Sequence, residues 1–358
     1  MSLGVLDAEV NDVTAVAPAL ALDGLVKSFG STRAVRSVSL DIAPGELLAI
    51  LGPSGCGKST LLRLIAGLEA PDAGRVRLGE RDVTSRPAHR RKIALVPQEG
   101  ALFPHLTVAQ NVAFGLPGAG KLFGLRRAAQ RPEVRRLLEL LHIEDLAERM
   151  PAQISGGQAQ RVALARALAC DPEIVLMDEP FSALDASLRH SVRTDIRDTL
   201  ARLGVAAVVV THDQEEALSL ADRVAVMQCG EIVQVGTPDE VYRAPASSEI
   251  ARFVGHAVLF SGRCRAGRVG SCLGEIAVPD GSEGDGAVMV RPEQILLVPP
   301  TPGLPTGEVR SVTFYGHDAD VTVELDSGES VVARIQGDLP RGRVSLQVRG
   351  AGCFFPAA

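Results

Sequence analysis

Short apolar runs alternate with helical patterns from about residue 19 to about residue 255. Four runs bounded by turn or polar residues are predicted strands: 46–51, 93–96, 173–177 and 206–210. Runs that are apolar throughout suit strands buried on both faces of a mainly parallel sheet. Between them, 59–67 and 158–170 carry apolar residues at helical spacing, and Gly67 suits a helix C-cap. This alternation predicts an α/β fold with a crevice at the strand ends.

A mostly helical segment interrupts this pattern between residues 99 and 170. Within it, Pro132–Leu141 has helical spacing, and one face carries Val134, Leu137, Leu138 and Leu141. The preceding stretch, Leu116–Pro132, is rich in Gly and Arg and is predicted to be an exposed connection. We therefore expect a helical subdomain inserted into the α/β domain.

After about residue 255 the composition shifts toward Gly and Val. Residues 321–325 alternate apolar and polar positions, and residues 344–348 repeat this two-residue period. Several short strands with Gly and Pro turns indicate a small β-barrel or sandwich. The predicted organisation is an N-terminal tail (1–18), an α/β domain (19–255) and an all-β domain (256–358).

Composition narrows the class of protein. The chain has 358 residues, and its 37 Lys and Arg against 43 Asp and Glu give a net charge of −6, which argues against a nucleic-acid binder. The six cysteines form no CxxC pair, so neither a disulfide framework nor a zinc site is indicated, and a reduced cytosolic setting is favoured. Apolar runs such as 205–210 are far shorter than the ~18 residues of a membrane span. Any role in a membrane process is therefore expected to be peripheral.

A glycine-rich motif directly follows the predicted strand 46–51. Residues 52–59, Gly-Pro-Ser-Gly-Cys-Gly-Lys-Ser, match GxxxxGK[ST] between a strand and a helix. Its glycines let the backbone wrap a polyphosphate, with N–H groups and a helix N-terminus facing the anion. Lys58 would reach the β- and γ-phosphates, and the Ser59 hydroxyl would ligate Mg²⁺. Alone, the motif does not separate a kinase, a GTPase and a motor ATPase.

Two carboxylates end the predicted strand 173–177. Burying Asp178 and Glu179 beside Val and Leu without a partner would be costly. A Mg²⁺ ion resolves this, because Asp178 can hold it from the side opposite Ser59. Glu179 points elsewhere and could polarise an attacking water as general base.

A third motif distinguishes between the kinase, GTPase and motor ATPase classes that the phosphate loop leaves open. Ile154-Ser-Gly-Gly-Gln158, followed by Ala-Gln-Arg, resembles the LSGGQ signature of ATP-binding-cassette (ABC) ATPases, which GTPases and kinases lack. The change from Leu to Ile is conservative, since the anion contacts come from the residues after it. Other family elements follow in the usual order: Phe29 and Val35 resemble the adenine-contacting pair, Gln98 the Q-loop, Asp185 of Ser182–Asp185 the D-loop, and His212 the switch histidine. The resemblance spans residues 19–255.

The resemblance implies ATP and Mg²⁺ as ligands. It assigns ATP binding to Phe29, Val35, Gly52, Pro53, Ser54, Gly55, Cys56, Gly57, Lys58, Ser59 and Thr60. It assigns Mg²⁺ to Ser59, Gln98 and Asp178. In such ATPases the counterpart of Glu179 is the catalytic base, that of His212 contacts the γ-phosphate and holds the base in register, and that of Gln98 reports nucleotide state to the helical insertion.

The signature implies a second subunit. Ser155, Gly156, Gly157 and Gln158 offer a hydroxyl and backbone N–H groups at a helix N-terminus, which suits an anion. One chain cannot easily place both this site and the phosphate loop on one γ-phosphate. The family's solution is a head-to-tail pair, so we expect a homodimer with ATP between residues 52–60 of one copy and 155–158 of the other.

The C-terminal domain points to importers. A single cassette with a β-domain resembles importer ATP-binding subunits with a TOBE domain, and residues 288–293 and 307–318 look like that domain. Such subunits dimerise beneath two permease chains at the cytoplasmic face of the membrane and are fed by an extracytoplasmic binding protein. The resemblance implies permease docking between Gln98 and the helical insertion, including residues 99–108.

The cargo is expected to be ferric iron. Residues 96–108 are especially similar to ferric-iron importer ATPases, and the Gln-Glu-Gly step at 98–100 weighs most. Spermidine/putrescine, sulfate and molybdate importers share most of the rest and stay open as alternatives.

Three other classes of protein are disfavoured. A P-loop kinase or GTPase has no use for the signature, and no NKxD-type guanine motif is found. ABC proteins acting on DNA or ribosomes usually carry a long coiled coil or two fused cassettes. A binding module without catalysis would not need Lys58, Asp178, Glu179 and His212 together.

Overall fold

A computed structural model describes residues 17–98, 101–118, 122–182, 184–278 and 282–357. The predicted N-terminal tail lies outside the described residues except for its last two positions. Glu99 and Gly100, which weighed in the cargo prediction, also lie outside them, as does Ala183 of the predicted D-loop. The chain divides into two compact units, residues 1–233 and 234–358.

The first unit is built on two sheets. Its strands are β1 (Leu20–Phe29), β2 (Thr32–Ile42), β3 (Leu47–Leu51), β4 (Ala73–Leu78), β5 (Arg81–Asp82), β6 (Ile93–Val96), β7 (Ile174–Asp178), β8 (Ala206–Thr211), β9 (Arg223–Gln228) and β10 (Glu231–Gly236). A four-stranded antiparallel sheet has the order β2-β1-β4-β5, and a six-stranded sheet has the order β10-β9-β3-β8-β7-β6. In the larger sheet β9, β3, β8, β7 and β6 are parallel.

The parallel strands are the runs that the apolar pattern predicts. Every residue of β3 and β8 is buried, as are the first four residues of β7. Strands covered on both faces need no polar alternation, which is why these segments are continuously apolar. Because neighbouring strands run in the same direction, the loops after β3, β7 and β8 emerge at one edge of the sheet.

Helices cover this sheet and form the insertion. They are α1 (Lys58–Ala66), α2 (Val108–Phe114), α3 (Leu122–Ala128), α4 (Pro132–Leu140), α5 (Gly156–Leu168), α6 (Ala186–Leu203) and α7 (Gln214–Leu220). Helix α1 packs on β6, β7 and β8 and ends at Gly67, whose φ of 74° places it in the left-handed region, as the predicted C-cap requires. The predicted helical subdomain contains α2 to α5, which pack on one another.

One connection is more ordered than its composition indicates. The Gly- and Arg-rich stretch 116–132, predicted to be an exposed connection, contains α3, which packs against α2. Leu125 and Ala128 of this helix are buried. The apolar positions are too few to stand out in sequence, and the tertiary contact with α2 stabilises the helix. This part of the prediction is wrong.

The second unit is an all-β core preceded by two short helices. They are α8 (Pro238–Arg243) and α9 (Ser248–Val254), followed by β11 (Val258–Arg265), β12 (Arg268–Ser271), β13 (Gly274–Ala277), β14 (Gly284–Val290), β15 (Ile295–Val298), β16 (Thr306–Phe314), β17 (Ala319–Leu325), β18 (Ser330–Ile335), β19 (Arg343–Val348) and β20 (Cys353–Pro356). Two five-stranded sheets, β13-β12-β11-β14-β20 and β15-β19-β16-β17-β18, share one apolar core. The alternation predicted for residues 321–325 is observed, with Val321, Val323 and Leu325 buried.

The division between the units differs from the predicted boundary at residue 255. Helices α8 and α9 group with the β-domain, and Arg291 is one residue that connects them to it. Its buried guanidinium donates hydrogen bonds to the carbonyl oxygens of Tyr242, Ala251 and His256, at 2.6 to 3.2 Å. Composition and helical spacing give no sign of these contacts, and the domain boundary at residue 255 stays a prediction. Within the described residues, no helix is long and apolar enough to cross a membrane.

Candidate functional site

A cavity of about 460 Å³ opens where β3 passes into α1. It lies wholly in the first unit and is lined by Thr32, Arg33, Ala34, Arg36, Ser54, Gly55, Cys56, Gly57, Lys58, Ser59, Thr60, Glu179, Cys229 and Gly230. Seven of these are predicted phosphate-loop residues, and Glu179 is the predicted base. The structure therefore brings the loop and the acidic strand end to one cavity at the carboxyl edge of the parallel sheet.

Two glycines let the loop pass close to its neighbours. A Cβ on Gly57, whose φ is 110°, would lie 2.2 Å from the carbonyl oxygen of Ala34, and one on Gly52 would lie 2.3 Å from that of Met227. The turn after β9 contacts the phosphate loop on its other side, because Gly230 N–H donates to the Cys56 carbonyl oxygen over 2.9 Å. The loop is thus clamped between the start of β2 and the β9–β10 turn, and only glycine fits at these two positions.

The N-terminus of α1 has no side-chain cap. Gly57 occupies the cap position and offers no oxygen to the first-turn N–H groups, which are the usual unpaired donors of a helix. Lys58, only 5% exposed, donates from Nζ to the carbonyl oxygens of Gly52 (2.7 Å) and Pro53 (3.0 Å). Open N–H groups beside an ammonium whose partners are neutral form a site for a polyphosphate.

The side chains of Ser59 and Asp178 converge at the far side of the loop. Ser59 Oγ donates to Asp178 Oδ1 over 3.3 Å. Burial raises the pKa of the Asp178 carboxyl, and the nearby Glu179 also raises it, so the ionised form is disfavoured. A hydroxyl and a carboxylate are hard oxygen ligands of the kind Mg²⁺ prefers, and a cation would offset the cost of the buried charge. These two residues fit the predicted metal site.

Glu179 is held by three neighbours. His212 Nδ1 lies 3.0 Å from Oε1, Gln98 Nε2 donates to Oε2 over 3.2 Å, and Ser182 Oγ donates to the main-chain oxygen over 2.9 Å. Residue 179 has a φ of 43°, a left-handed conformation that is strained for a glutamate and is found at functional sites. Strands β7 and β8 are parallel neighbours, which is why Glu179 and His212 meet. Gln98, predicted as a metal ligand, contacts Glu179 and Ser182, and its metal role stays a prediction.

The predicted adenine contacts lie beside the cavity. Phe29, at the end of β1, is half exposed and has Lys27 Nζ 5.3 Å from its ring centroid. Val35 is fully buried in β2, and its neighbours Ala34 and Arg36 line the cavity instead. The adenine role of Phe29 and Val35 stays a prediction. Sequence reasoning missed Arg36 and the Cys229–Gly230 turn, because no local motif marks them.

The signature residues lie elsewhere on the first unit. Ser155 caps α5: its Oγ accepts from Gln158 N–H (3.3 Å), and Gln158 Oε1 accepts from Ser155 N–H (2.9 Å). Ser155 and Gly156 are exposed, whereas Gly157 is buried, with Val192 only 3.2 Å from where its Cβ would be. Among the described residues that line the cavity, none belongs to the signature. Asp185 is exposed at the N-cap of α6.

A phosphate loop between a parallel strand and a helix, facing an acidic strand end and a histidine from the next strand, defines a P-loop ATPase. Family comparison agrees, since the ABC transporter family matches residues 35–182 and the TOBE domain family matches residues 288–353. The chain belongs to the ABC transporter family, as an ATP-hydrolysing import subunit with a C-terminal TOBE domain.

Curated relatives cover nearly the whole chain. The chain is 46% identical to an Fe(3+) ions import ATP-binding protein, FbpC 2, of Rhodococcus jostii (strain RHA1), over 94% of each chain. It is 40% identical to the FbpC protein of Brucella abortus (strain 2308), over 95% of this chain and 98% of that one. It is also 46% identical to a sulfate/thiosulfate import ATP-binding protein, CysA 2, of Agrobacterium fabrum, over 94% of this chain and 99% of that one.

Solved structures match the cassette. A nucleotide-free ATP-binding cassette from an ABC transporter aligns with a TM-score of 0.59 at 27% identity, covering 66% of this chain and 98% of that one. A dimeric cassette in a post-hydrolysis state, bound to ADP and Pi, aligns with a TM-score of 0.52 at 32% identity, covering 61% and 98%. These matches confirm the predicted α/β cassette fold.

Proposed function

We propose that two copies of this chain form a head-to-tail dimer whose ATP hydrolysis drives import of ferric iron. One observation carries the proposal: Glu179, which contacts His212 and Gln98, shares a cavity with the phosphate loop, whereas the signature is exposed on a different helix. A second copy would bring its signature to the open side of the nucleotide. The dimeric cassette among the similar structures supports this arrangement.

The phosphate loop, the predicted metal ligands and the Glu179–His212 pair each have a role in the proposed reaction. Lys58 and the open N–H groups of α1 bind the phosphates. Ser59 and Asp178 would hold Mg²⁺, with Gln98 as the third predicted ligand; when bound, the ion supplies positive charge that stabilises the transferred phosphoryl group. Glu179 accepts a proton from the attacking water, and His212 holds the carboxylate in place.

Gln98 links the site to the helical insertion. Its amide bonds both Glu179 and Ser182, so a shift of either changes the segment that leads from β6 toward α2. The signature and D-loop residue Asp185 are exposed, as contacts to a second copy require. Gln98 thus lies where catalysis and the insertion can be coupled.

The dimer is tested with Glu179→Gln, which should bind ATP but hydrolyse it at least about a hundredfold more slowly. Light scattering with saturating ATP should then show a dimer. Adding Gly156→Asp should return it to a monomer, because a carboxylate would meet the phosphates of the partner's nucleotide. Aspartate suits the first turn of a helix, so folding should be kept.

Gly124→Asp is the matched control, because Gly124 is an exposed glycine in the first turn of α3, in the same insertion, with open space around it. It should leave the ATP-bound dimer intact. A monomer of Glu179→Gln at saturating ATP, or a dimer that persists in the Gly156→Asp variant, would contradict the head-to-tail dimer.

We place the dimer at the cytoplasmic face of the membrane, beneath two permease chains fed by an extracytoplasmic ferric-binding protein. The insertion supports a docking role. Phe103 packs on Phe114, with ring centroids 4.5 Å apart, and Phe114 remains 44% exposed. The Arg166 guanidinium lies 5.5 Å from the Phe103 ring. An exposed aromatic ring on a helix of the insertion suits contact with an apolar permease segment.

The cargo assignment rests on relatives named for Fe(3+) import and on the similarity of residues 96–108. The sulfate/thiosulfate relative at equal identity makes sulfate the second candidate. The assembled importer, reconstituted in vesicles with its binding protein, should hydrolyse ATP faster when that protein carries ferric iron. Stimulation by sulfate-loaded protein and none by ferric-loaded protein would reassign the cargo. On the chromosome, an adjacent ferric-binding protein gene would support iron.

A further inference from the structure

The ring of His212 is exposed, yet its position matters for Glu179. Its side chain is 53% exposed, so packing does not hold the imidazole. The bond to Glu179 therefore depends on where the main chain places residue 212. The catalytic motifs do not explain what fixes the main chain at residue 212.

A closed set of hydrogen bonds surrounds residue 212. The Thr211 hydroxyl donates to Glu216 Oε2 over 2.6 Å and accepts from Asp213 N–H over 2.9 Å. Asp213 Oδ1 in turn accepts from Glu216 N–H over 3.0 Å. We call Thr211, Asp213 and Glu216 the switch ring. It ties the residues on both sides of His212 to Glu216, Thr211 through the buried carboxylate and Asp213 through the main-chain N–H.

Two of the three residues of the switch ring are buried. Thr211 is 1% exposed and Glu216 is 3% exposed, which is unusual for a glutamate without a fully paired charge. Burial raises the pKa of Glu216, and Asp213 also raises it, whereas the hydrogen bond from Thr211 and the charges of Arg193 and Arg189 lower it. A buried carboxylate that is costly to ionise commonly holds a specific geometry. Here its hydrogen-bond partner is the hydroxyl of Thr211, the residue before His212.

The switch ring also reaches the D-loop segment. Arg189 Nη1 lies 3.8 Å from Asp213 Oδ2, and Arg189 Nε donates to the Leu184 carbonyl oxygen over 2.9 Å. Leu184 directly precedes Asp185, which is expected at the contact with a second copy. One arginine of α6 thus connects that segment to the flank of His212.

We propose that Thr211 and Glu216 are positioning residues for ATP hydrolysis: they hold the main chain of residues 211–213 so that His212 meets Glu179. The inference rests on the proposed roles of His212 and Glu179. It predicts that breaking the ring slows the chemical step while ATP binding, which depends on the phosphate loop, is retained.

The first test compares kcat and KM for ATP in Thr211→Val and Thr211→Ser. The valine variant keeps the volume but removes the hydroxyl, so kcat should fall about ten- to hundredfold with KM little changed, the cost of a misplaced catalytic group. The serine variant restores the hydroxyl and should recover most of kcat. Thr199→Val is the matched control, since this threonine of α6 is equally buried, and it should keep the wild-type kcat.

Glu216 gives a parallel series. Glu216→Gln retains an oxygen that can accept from Thr211 and should keep most of kcat, whereas Glu216→Ala should lose it as Thr211→Val does. Equal kcat for wild type and Thr211→Val, or a serine variant as slow as the valine variant, would overturn the inference. So would a rise in KM with unchanged kcat.

A double variant separates this inference from the proposed function. In a His212→Ala background, Thr211→Val should cause no further loss of kcat, because the group being positioned is gone. An additional loss would indicate general destabilisation and would overturn the positioning role. If His212→Ala itself keeps full kcat, the role of His212 in the proposed function fails; if it is inactive and Thr211→Val is normal, only the inference fails.

Discussion

Two glycine-containing helix starts are the predicted anion sites of this chain, and they are built in opposite ways. Helix α1 begins at Gly57, which provides no cap, inside a cavity that also holds Glu179. Helix α5 begins at Ser155, whose side chain completes a capping box, on an exposed surface. The first helix leaves its donors to the ligand. The N–H groups of the second are bonded by its own residues.

This contrast shows which part of the proposed ATP site one chain can complete, the phosphate loop or the signature. The phosphate loop is clamped by Ala34 and Gly230 and faces the catalytic cluster, so the nucleotide-binding half is preformed. The signature has no comparable surroundings among the described residues that line the cavity. A stable capped helix start is a suitable surface for reversible contact, because it does not depend on the ligand for its own folding.

The largest effect is expected for Lys58→Ala. Losing the buried ammonium should lower ATP turnover by about a thousandfold, the upper range for removing one electrostatic contact, and weaken nucleotide binding. Steady-state ATPase assays and nucleotide titration measure both. Lys92→Ala, at an exposed lysine of the same unit, is the control. Near-normal turnover in Lys58→Ala would contradict the phosphate-loop assignment.

A smaller effect is expected for Gly57→Ala, which adds a methyl group where the phosphate loop passes close to Ala34. The added methyl would meet the Ala34 carbonyl at 2.2 Å with φ at 110°. Strain of about 1–3 kcal/mol in the binding conformation should weaken ATP affinity about ten- to hundredfold, measured by calorimetry. Gly204→Ala has a similar left-handed φ but open space, so it should cost stability without changing affinity. Equal affinities for wild type and Gly57→Ala would mean that the loop is not clamped.

Ser155→Ala tests the capped helix start. Loss of the cap should cost about 1 kcal/mol of stability, seen as a lower unfolding midpoint. Thr107→Ala removes the matching capping box of α2 and should cost about the same. Only Ser155→Ala should also slow ATP turnover, because its hydroxyl is offered to the partner's nucleotide. Equal turnover in both variants would restrict Ser155 to capping.

The smallest effect is expected for Asp178→Asn in nucleotide-free protein. At neutral pH the ionised carboxylate is penalised by burial, so the neutral amide, which can still accept from Ser59, should raise the unfolding temperature by a few degrees. As pH falls through the raised pKa, Asp178 becomes protonated and the penalty disappears, so the advantage should shrink in acid. Thermal unfolding at neutral and acidic pH measures it. A variant less stable than wild type at neutral pH would mean that the carboxylate is not penalised.

Local patterns predicted much of the fold and many of the candidate residues. The runs 46–51 and 206–210 are buried parallel strands, and Gly67 ends α1, because burial on both faces and a left-handed cap leave signs in nearby residues. The motif spacing also indicated that Ser59 and Asp178 would converge. These features depend on a few neighbouring positions and on strand direction.

Contacts between distant segments could not be predicted in this way. Helix α3 is stabilised by α2, and Arg291 connects α9 to the β-domain. Gln98 contacts Glu179 and Ser182, which no local pattern indicated. Each depends on where folded elements meet, and a single sequence carries no periodic sign of it.

The sequence by itself determined the chemistry available: a phosphate-binding loop, an acidic strand end, a histidine and a second glycine-rich helix start. Tertiary structure alone decided which of these share a cavity, that one helix start is open and the other capped, and that a buried glutamate braces the histidine's main chain. The physical reason is that motif identity resides in adjacent residues, whereas capping, clamping and burial arise only when segments far apart in the chain pack together.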